Sequence, residues 1–388
     1  MELTSYHFIL LFFRLLLTIV AAINGHKIAK SAKLITWKSF LPVIIIFSLY
    51  SGLRWGRGID YNIYYYTYLA AMQGNIDFSR DFIWNVILWL YTSLKLPWQA
   101  LVFSMSVVLI ISGCYFLKRF RPYLAWLLPA FVLGSSLSEN LARWYMAFSF
   151  VLIGFSWLLD GKWKKYVIWC SVGFFIHYGI IVNVLFFFII FITFNKRLLK
   201  PLNSLVIYTI FFVFFSAEWM EALIPFVESI NLGTRYLSYQ QNAEFWLTGG
   251  AAESQGLSWG NFVMAVFTIF GGYYVVNSYF KEKSFVILYN LVMVGLFLQP
   301  LGKQIELVFR IQELFNLFNK LFYALIFYAY LNHQRTRIAL LKPIVLVIGF
   351  YTIYYYTTDY VFKLKENQTY FVWDSKGRSS LPIGELKD

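Results

Sequence analysis

The sequence predicts an all-α integral membrane protein with about twelve transmembrane helices. Of its 388 residues, 60% are hydrophobic and only 13% are charged, whereas a soluble chain carries roughly a quarter charged residues. Apolar runs of about 15 to 20 residues recur along nearly the whole length, which is the pattern of membrane-crossing helices. The aromatic content of 22% fits aromatic belts at the two membrane interfaces.

The predicted spans belong to one polytopic membrane domain that covers residues 1–388. The first run lacks a basic leading segment and a small-residue cleavage site, so it is expected to be a retained span. The spans lie at roughly 7–25, 39–53, 98–117, 123–138, 144–159, 166–176, 178–194, 203–218, 259–279, 284–300, 311–331 and 338–356.

The apolar segment 81–99 is not counted among these spans. It is short, and if it crossed the membrane, the basic connector that follows it would lie on the wrong side. We therefore expect an interfacial helix that lies along the outer leaflet. A short re-entrant hairpin is the alternative.

The net charge of +14 is explained by membrane topology and not by nucleic-acid binding. Alternate connectors hold 18 Lys or Arg residues against 2 acids, whereas the opposite side holds 13 against 17. The positive-inside rule places the basic connectors in the cytoplasm and both termini outside. The basic connectors are 26–38, 118–122, 160–165, 195–200, 281–283 and 332–342.

Three stretches predicted to lie outside the membrane are too long and too polar to be simple turns: 54–81, 219–258 and the tail 357–388. Loops of more than about 12 to 15 residues are usually functional or disordered. The first two stretches combine aromatic residues, glycine and mixed charge, which favours an ordered, sugar-facing surface. The tail is either a lid or a frayed end.

The densest group of candidate functional residues opens the first of these loops, where Arg54, Arg57 and Asp60 are followed by Tyr61 and Tyr65. Guanidinium groups bind diphosphate bidentately, and neighbouring glycines let the backbone approach an anion. Tyrosine rings stack on sugars, and their hydroxyl groups hydrogen-bond to them. The alternative is an arginine-anchored membrane boundary with an aromatic belt.

Further candidate substrate-binding residues lie at or near the predicted outer ends of spans. A single arginine in such a place is most often an interface anchor, but several cations on one face favour an anionic ligand there. These residues are Glu139, Arg143, Arg235, Tyr236 and Arg310, and Arg80 is a further arginine on the same face.

His177 interrupts an apolar stretch where the predicted topology requires the chain to reverse. A structural histidine at a helix break is one explanation, and a general base or substrate ligand is the other. Asp60 is the second candidate catalytic residue. No metal-binding motif occurs, although Asp60 and Glu139 could share a divalent ion if they met in space.

The run Arg54, Gly58, Asp60 and Tyr61 resembles the EpsG/Wzy group of bacterial polysaccharide polymerases. Members carry a similar L-R-x-G-x-G-x-D-Y-x-x-Y run after an early span. The stretch 143–177 is similar to that family's sequence of helix, basic turn, short helix and Phe-x-His. Two further arginines fall where the family places them, Arg235 before Tyr236 and Arg310. The chain departs from the pattern at Ile59 and at Tyr178, where a small polar residue and serine are usual.

The resemblance implies a GT-C-like helical bundle in the bacterial inner membrane. Its substrates would be undecaprenyl-diphosphate-linked oligosaccharide repeat units, which it would join by glycosidic bonds on the outer face, with release of the lipid diphosphate. Arginines would hold the diphosphate, and Asp60 or His177 would deprotonate the acceptor hydroxyl. Flippase and chain-length regulator proteins are the implied partners beside the bilayer, and no cofactor is expected. The alternatives are an O-antigen ligase or another lipid-linked glycosyltransferase, and a flippase or transporter for lipid-linked sugars.

Overall fold

The computed structural model describes residues 3–58, 60–194, 198–214, 259–302, 306–332, 342–365 and 368–374. Within these ranges the chain is helical, and its only β-pairing is an isolated bridge between Arg54 and Phe371. Among the described residues, six helical segments are long and apolar enough to cross a membrane. The all-α class and the multi-pass membrane character are therefore confirmed. The total of about twelve spans and the GT-C-like arrangement stay predictions.

The described residues fall into two compact units, residues 1–184 with 330–388 and residues 185–329. The single polytopic domain predicted over 1–388 stays a prediction. The helices of the first unit are α1 (Ser5–Lys30), α2 (Leu41–Gly52), α3 (Tyr61–Met72), α4 (Phe82–Ser93), α5 (Trp98–Leu117), α6 (Leu124–Gly134), α7 (Ala142–Leu159) and α8 (Trp163–Ile176).

The chain continues through α9 (Ile181–Thr193), α10 (Pro201–Phe214), α11 (Trp259–Ser278), α12 (Lys283–Gly302) and α13 (Glu306–Asn332). The first unit then resumes with α14 (Lys342–Tyr354), a π-helical turn at Tyr355–Asp359 and the short α15 (Tyr360–Phe362). In the second unit, α12 carries a continuous buried apolar face, and Phe315 of α13 packs edge to face on Phe187 of α9.

Close helix packing forms the core of the first unit, where α1 packs on α6, α2 on α5, and α7 on α8. Glycine makes two of these contacts possible, since a Cβ at Gly25 would overlap the backbone of Leu124. A Cβ at Gly173 would come within 2.7 Å of the Ala147 carbonyl oxygen. Small residues of this kind let membrane helices approach closely, which maximises dispersion contacts where lipid removes the hydrophobic driving force.

Three basic connectors meet at one end of the first unit, here called the basic end. Arg121 donates to the carbonyl oxygens of Ile28 (3.2 Å), Ser31 and Lys33 (3.0 Å). Arg119 forms an ion pair with Asp160 at 2.6 Å. The predicted common side of the connectors 26–38, 118–122 and 160–165 is therefore confirmed, whereas its cytoplasmic location stays a prediction.

The other end of the first unit, here called the site end, carries the loop between α2 and α3. The C-terminal stretch, here the described residues 360–365 and 368–374, packs on this loop. The Trp55 N–H donates to the Tyr370 carbonyl at 2.9 Å, and the Val372 N–H donates to the Leu53 carbonyl at 3.0 Å. The His7 ring also bonds the Leu364 carbonyl at 2.9 Å. Of the two alternatives for the tail, a lid fits this packing up to residue 374. Residues 375–388 lie outside the described residues.

The segment 81–99 contains α4, a helix of 12 residues that packs against α3 and α8. At 1.5 Å per residue it is about 18 Å long, shorter than the roughly 30 Å hydrocarbon core. This length agrees with the predicted interfacial helix. The predicted break at His177 is also present, because α8 ends at Ile176 and His177 adopts an extended backbone with φ −155° and ψ 109°.

The predicted orientation is testable with single cysteines at the two ends of the first unit. Cys114 and Cys170 are the native cysteines, and both are replaced by alanine. We expect Ser79→Cys to react with an impermeant maleimide in intact cells, and Lys33→Cys to react only after permeabilisation, because charge bias sets orientation. The reverse labelling pattern would place the site end in the cytoplasm.

Candidate functional site

Arg57 and Glu139 form a buried ion pair at the site end. Arg57 Nη1 lies 3.0 Å from Glu139 Oε1, and the two side chains are 0% and 4% exposed. Tyr360 donates to the second carboxylate oxygen at 2.8 Å, and Arg57 Nε donates to the Gln368 carbonyl at 3.2 Å. Burial opposes the charge of Arg57, but Glu139 holds its pKa above the ordinary value. Arg57 therefore joins the loop between α2 and α3 to Glu139 and to the C-terminal stretch.

Arg54 is also buried, beside the end of α2. Its Nη1 donates to the Ser51 carbonyl at 2.5 Å and to the Ser51 hydroxyl at 3.2 Å. Burial lowers the pKa of Arg54, and the nearby Glu139 carboxylate opposes that change. A cavity of about 10 Å³, the size of one water molecule, separates Arg54 from Ser106, Ser138 and Tyr145.

A third buried arginine, Arg14 of α1, belongs to the same cluster. It donates to the hydroxyl groups of Ser136 (2.6 Å) and Tyr50 (3.2 Å), and its guanidinium lies 4.3 Å from the centre of the Tyr360 ring. Buried charges usually have ionic partners, because transfer out of water is costly. Among the described residues, this cluster contains three guanidinium groups and one carboxylate, so positive charge is in excess here.

Gly58 and Asp60 show why the motif of the first loop has its spacing. Gly58 has φ +106°, and a Cβ there would overlap the Glu139 carbonyl, so only glycine lets the loop pass. Two residues later the Asp60 N–H donates to Asn140 Oδ1 at 2.9 Å. Asp60 directly precedes α3, yet its carboxylate makes no capping hydrogen bond to that helix.

The candidate sugar-stacking tyrosines belong to an aromatic cluster on α3. Tyr61 is only 2% exposed and packs edge to face on Trp98 at 5.8 Å between ring centres. Burial raises the pKa of Tyr61 to about 12. Tyr65 is half-buried, and its ring centre lies 6.1 Å from those of both Trp55 and Trp98. Tyr65 is thus the more accessible of the two rings.

Arg143 lies at the edge of a polar cleft. It forms an ion pair with Asp81 at 3.0 Å, and the other Asp81 oxygen accepts from the Tyr178 N–H at 3.2 Å. The guanidinium lies 6.0 Å from the centre of the Trp84 ring. The cleft has a volume of about 370 Å³ and is lined by Thr67, Asn75, Ile76, Asp77, Arg80, Asp81, Asn85, Leu88 and Arg143.

His177 lies at the break between α8 and α9, next to this cleft. Its half-buried ring is 4.6 Å from the ring of Trp144, the residue that follows Arg143. It also precedes Tyr178, whose backbone N–H binds Asp81. The shared cavity of His177 with Asp60 stays a prediction.

Residues 139–144 therefore connect the candidate groups of the first unit. Within six positions, this segment contacts in turn Arg57, Asp60, Asp81 and His177. The segment enters α7 from a 3-10 turn at Ser135–Glu139, so that successive side chains point in different directions and reach different neighbours.

The remaining candidate residues lie outside the described part of the first unit. Arg235 and Tyr236 lie outside the described residues, and Arg310 belongs to α13 in the second unit. The described part of the chain contains no group of three or more metal-ligating side chains. The Glu139 carboxylate is paired with Arg57, whereas Asp60 contacts Asn140 through its backbone N–H, so a divalent ion shared by the two carboxylates stays a prediction.

The model of the EpsG family matches residues 37–371. The chain belongs to the EpsG family. This is a family of polysaccharide polymerases, so a glycosyltransferase-like polymerase role follows for this membrane protein. The match includes the first loop, the segment 139–144 and the C-terminal stretch up to Phe371. Searches of curated proteins and of solved structures found no significant match.

Several residues of the site in this EpsG-family protein were not expected from its sequence. From the sequence, Arg14 lies in a predicted span, Asp81 at a predicted helix start, and Tyr360 in the tail. Their partners are distant in sequence, and only the fold brings them together. The run 75–85 (NIDFSRDFIWN) does carry a signal, because it is dense in polar groups beside a short apolar helix.

His177 is expected to act in the reaction and not in folding. His177→Ala should abolish polymer formation, because it removes the imidazole nitrogens at this break. His177→Gln should retain activity if the ring only hydrogen-bonds, and lose it if the ring exchanges protons. The measurement is polymer yield at matched protein levels. Normal polymer from both variants would leave His177 as a packing partner of Trp144.

Proposed function

We propose that this protein joins undecaprenyl-diphosphate-linked oligosaccharide repeat units on the outer face of the bacterial inner membrane. Family membership supports the polymerase class, and the six apolar segments support a site reached by membrane-anchored substrates. The proposal includes flippase and chain-length regulator proteins as partners and involves no cofactor.

The proposal rests on one observation. The polar cleft and the buried arginines both lie at the site end of the first unit. Residues 139–144 border both, through Glu139 toward Arg57 and through Arg143 toward the cleft. A reaction between a sugar hydroxyl and a sugar diphosphate needs both environments, one rich in hydrogen-bonding groups and one with excess positive charge.

In the proposed reaction, the acceptor hydroxyl oxygen attacks the anomeric carbon of the donor sugar. A bond forms between that oxygen and carbon, the bond from the anomeric carbon to the diphosphate oxygen breaks, and the hydroxyl proton passes to a base. Asp60 and His177 are the candidates for this base. The lipid diphosphate leaves with its negative charge, which fixed guanidinium groups stabilise.

Not every arginine has the same role in this proposal. Arg57 is engaged by Glu139 and Gln368, so we assign it to holding the first loop in place. The excess charge of Arg14 and Arg54 then supplies the electrostatic attraction for the diphosphate. Arg80 and Arg143 line the cleft and are the arginines best placed to touch the sugar.

The test is incubation of the purified protein, in liposomes, with synthetic undecaprenyl-diphosphate repeat unit. A ladder of products that differ by one repeat unit is the expected result on a gel. A single addition to a different lipid acceptor would favour a ligase. Movement of intact substrate across the liposome, without a ladder, would indicate a transporter.

A further inference from the structure

We propose that the cleft between α3, residues 75–81, α4 and the start of α7 binds the neutral terminal sugar of the acceptor. The acceptor is the substrate whose hydroxyl attacks. This inference rests on the proposed function, because it assigns one of that reaction's two substrates to a defined place.

The composition of the cleft matches a sugar. Ligand pockets commonly have volumes of about 300 to 1,000 Å³ and are mostly apolar, whereas this cleft of about 370 Å³ is lined by polar side chains at seven of nine positions. Two carboxylates accept hydrogen bonds, two guanidinium groups donate them, and two amides and a hydroxyl do both. Adjacent sugar hydroxyls need this mixture, because each donates and accepts.

The charges of the cleft argue against a diphosphate. Asp77 and Asp81 balance Arg80 and Arg143, and the ion pair between Asp81 and Arg143 already neutralises two of these four groups. A diphosphate placed here would face two carboxylates. In a lipid-linked repeat unit the diphosphate is attached to one terminal sugar and the attacking hydroxyl lies on another, so a cleft without net charge suits the second.

The loop that forms the cleft is held in place before any ligand arrives. Asn85 Nδ2 donates to the carbonyl oxygens of Asp77 (2.7 Å) and Arg80 (2.5 Å). Asp81 is in the left-handed region with φ 42°, and its carboxylate is fixed by Arg143 and by the Tyr178 N–H. Preorganisation of this kind lowers the entropic cost of binding. The exposed Arg80 side chain forms no ion pair with any described residue.

The cleft is also close to a candidate base. Asp81 is bonded to Tyr178, the residue after His177. His177 packs against Trp144, and Arg143, the residue before Trp144, pairs with Asp81 in the cleft. A sugar in the cleft therefore presents its hydroxyl groups near the helix break.

The test measures binding of the free terminal disaccharide of the repeat unit, as its methyl glycoside, to the full-length protein in nanodiscs by calorimetry. Inorganic diphosphate is the second probe. Arg80→Gln and Asp77→Asn should each weaken disaccharide binding by about tenfold or more, the effect of losing a hydrogen bond to a charged group. Neither should change diphosphate binding. Lys365→Gln removes an exposed cation elsewhere at the site end and is the matched control.

Two results would overturn the inference: no disaccharide binding by the wild type, or weakened diphosphate binding in Arg80→Gln with disaccharide binding unchanged. The second would make the cleft an anion site. The proposed function has its own readout in the polymer ladder. A wild type that binds the disaccharide through Asp77 and Arg80 but makes no ladder would contradict the polymerase and leave the sugar site standing.

Discussion

Glu139→Gln is expected to lower the free energy of unfolding by about 3–5 kcal/mol, the usual cost of removing one partner from a buried ion pair. The substitution keeps the shape of the side chain but leaves the guanidinium of Arg57, which is 0% exposed, without its counter-charge. The Tyr360 hydroxyl also loses a charged acceptor. Unfolding of the purified protein in detergent, followed by tryptophan fluorescence, measures the change.

The ion pair between Arg119 and Asp160 provides the matched control, because its side chains are 23% and 43% exposed. Asp160→Asn should cost less than about 1 kcal/mol, since water screens exposed pairs. Replacing Arg57 and Glu139 together by Met and Leu should recover much of the loss, because an apolar pair leaves no buried charge. Equal effects of Glu139→Gln and Asp160→Asn would show that water reaches the buried pair.

Asp60→Asn is expected to reduce polymer formation by about a hundredfold or more, which is the usual contribution of a general acid or base. Its unfolding temperature should remain near that of the wild type. The carboxylate of Asp60 does not cap α3, and the contact with Asn140 is made by the Asp60 backbone N–H, which asparagine keeps. The measurements are the polymer ladder and thermal unfolding of the same preparation.

For this prediction too, Asp160→Asn is the control, since it removes a carboxylate at the basic end and should leave the ladder unchanged. A full ladder from Asp60→Asn would exclude acid–base chemistry at this position and leave His177 as the candidate base. A large drop in unfolding temperature together with lost activity would instead show that the Asp60 carboxylate supports the fold.

Local patterns in the sequence predicted the features that depend on near neighbours. Apolar runs predicted the helices, and the reversal required between two basic connectors predicted the break at His177. The glycines around Arg57 predicted close approach of the backbone to an anion, and Gly58 takes a backbone conformation that other residues avoid and lies against the Glu139 carbonyl. Charge bias predicted that 118–122 and 160–165 share an end, which the contacts of Arg119 confirm.

Contacts between distant residues could not be predicted in the same way. Arg57 and Glu139 are 82 positions apart, and Arg57 and Gln368 are 311 apart. The sequence predicts Arg57 as an anion ligand because it lies beside Arg54 and glycines at the start of a long outer loop. The fold buries it beside Glu139, and Arg80 and Arg143 at the cleft are more accessible than Arg57.

The cleft itself was missed for a related reason. Asp77 is an ordinary surface residue when only its own segment is considered, Arg80 is one of several arginines on the predicted outer face, and Asp81 only precedes a helix. Their grouping depends on Asn85, which holds the loop, and on Arg143, which approaches from α7. Polar clustering in 75–85 indicates a structured loop, but the partner across the cleft is known only from the packing of α7 beside it.

The most direct test of the polymerase account is to count released undecaprenyl diphosphate against new glycosidic bonds in one reaction. Purified protein in liposomes is given synthetic lipid-linked repeat unit, and both products are quantified by mass spectrometry. The account predicts one lipid diphosphate for each bond formed, with both lost in Asp60→Asn. Lipid diphosphate released without new bonds, or substrate moved across the membrane with neither product, would contradict it.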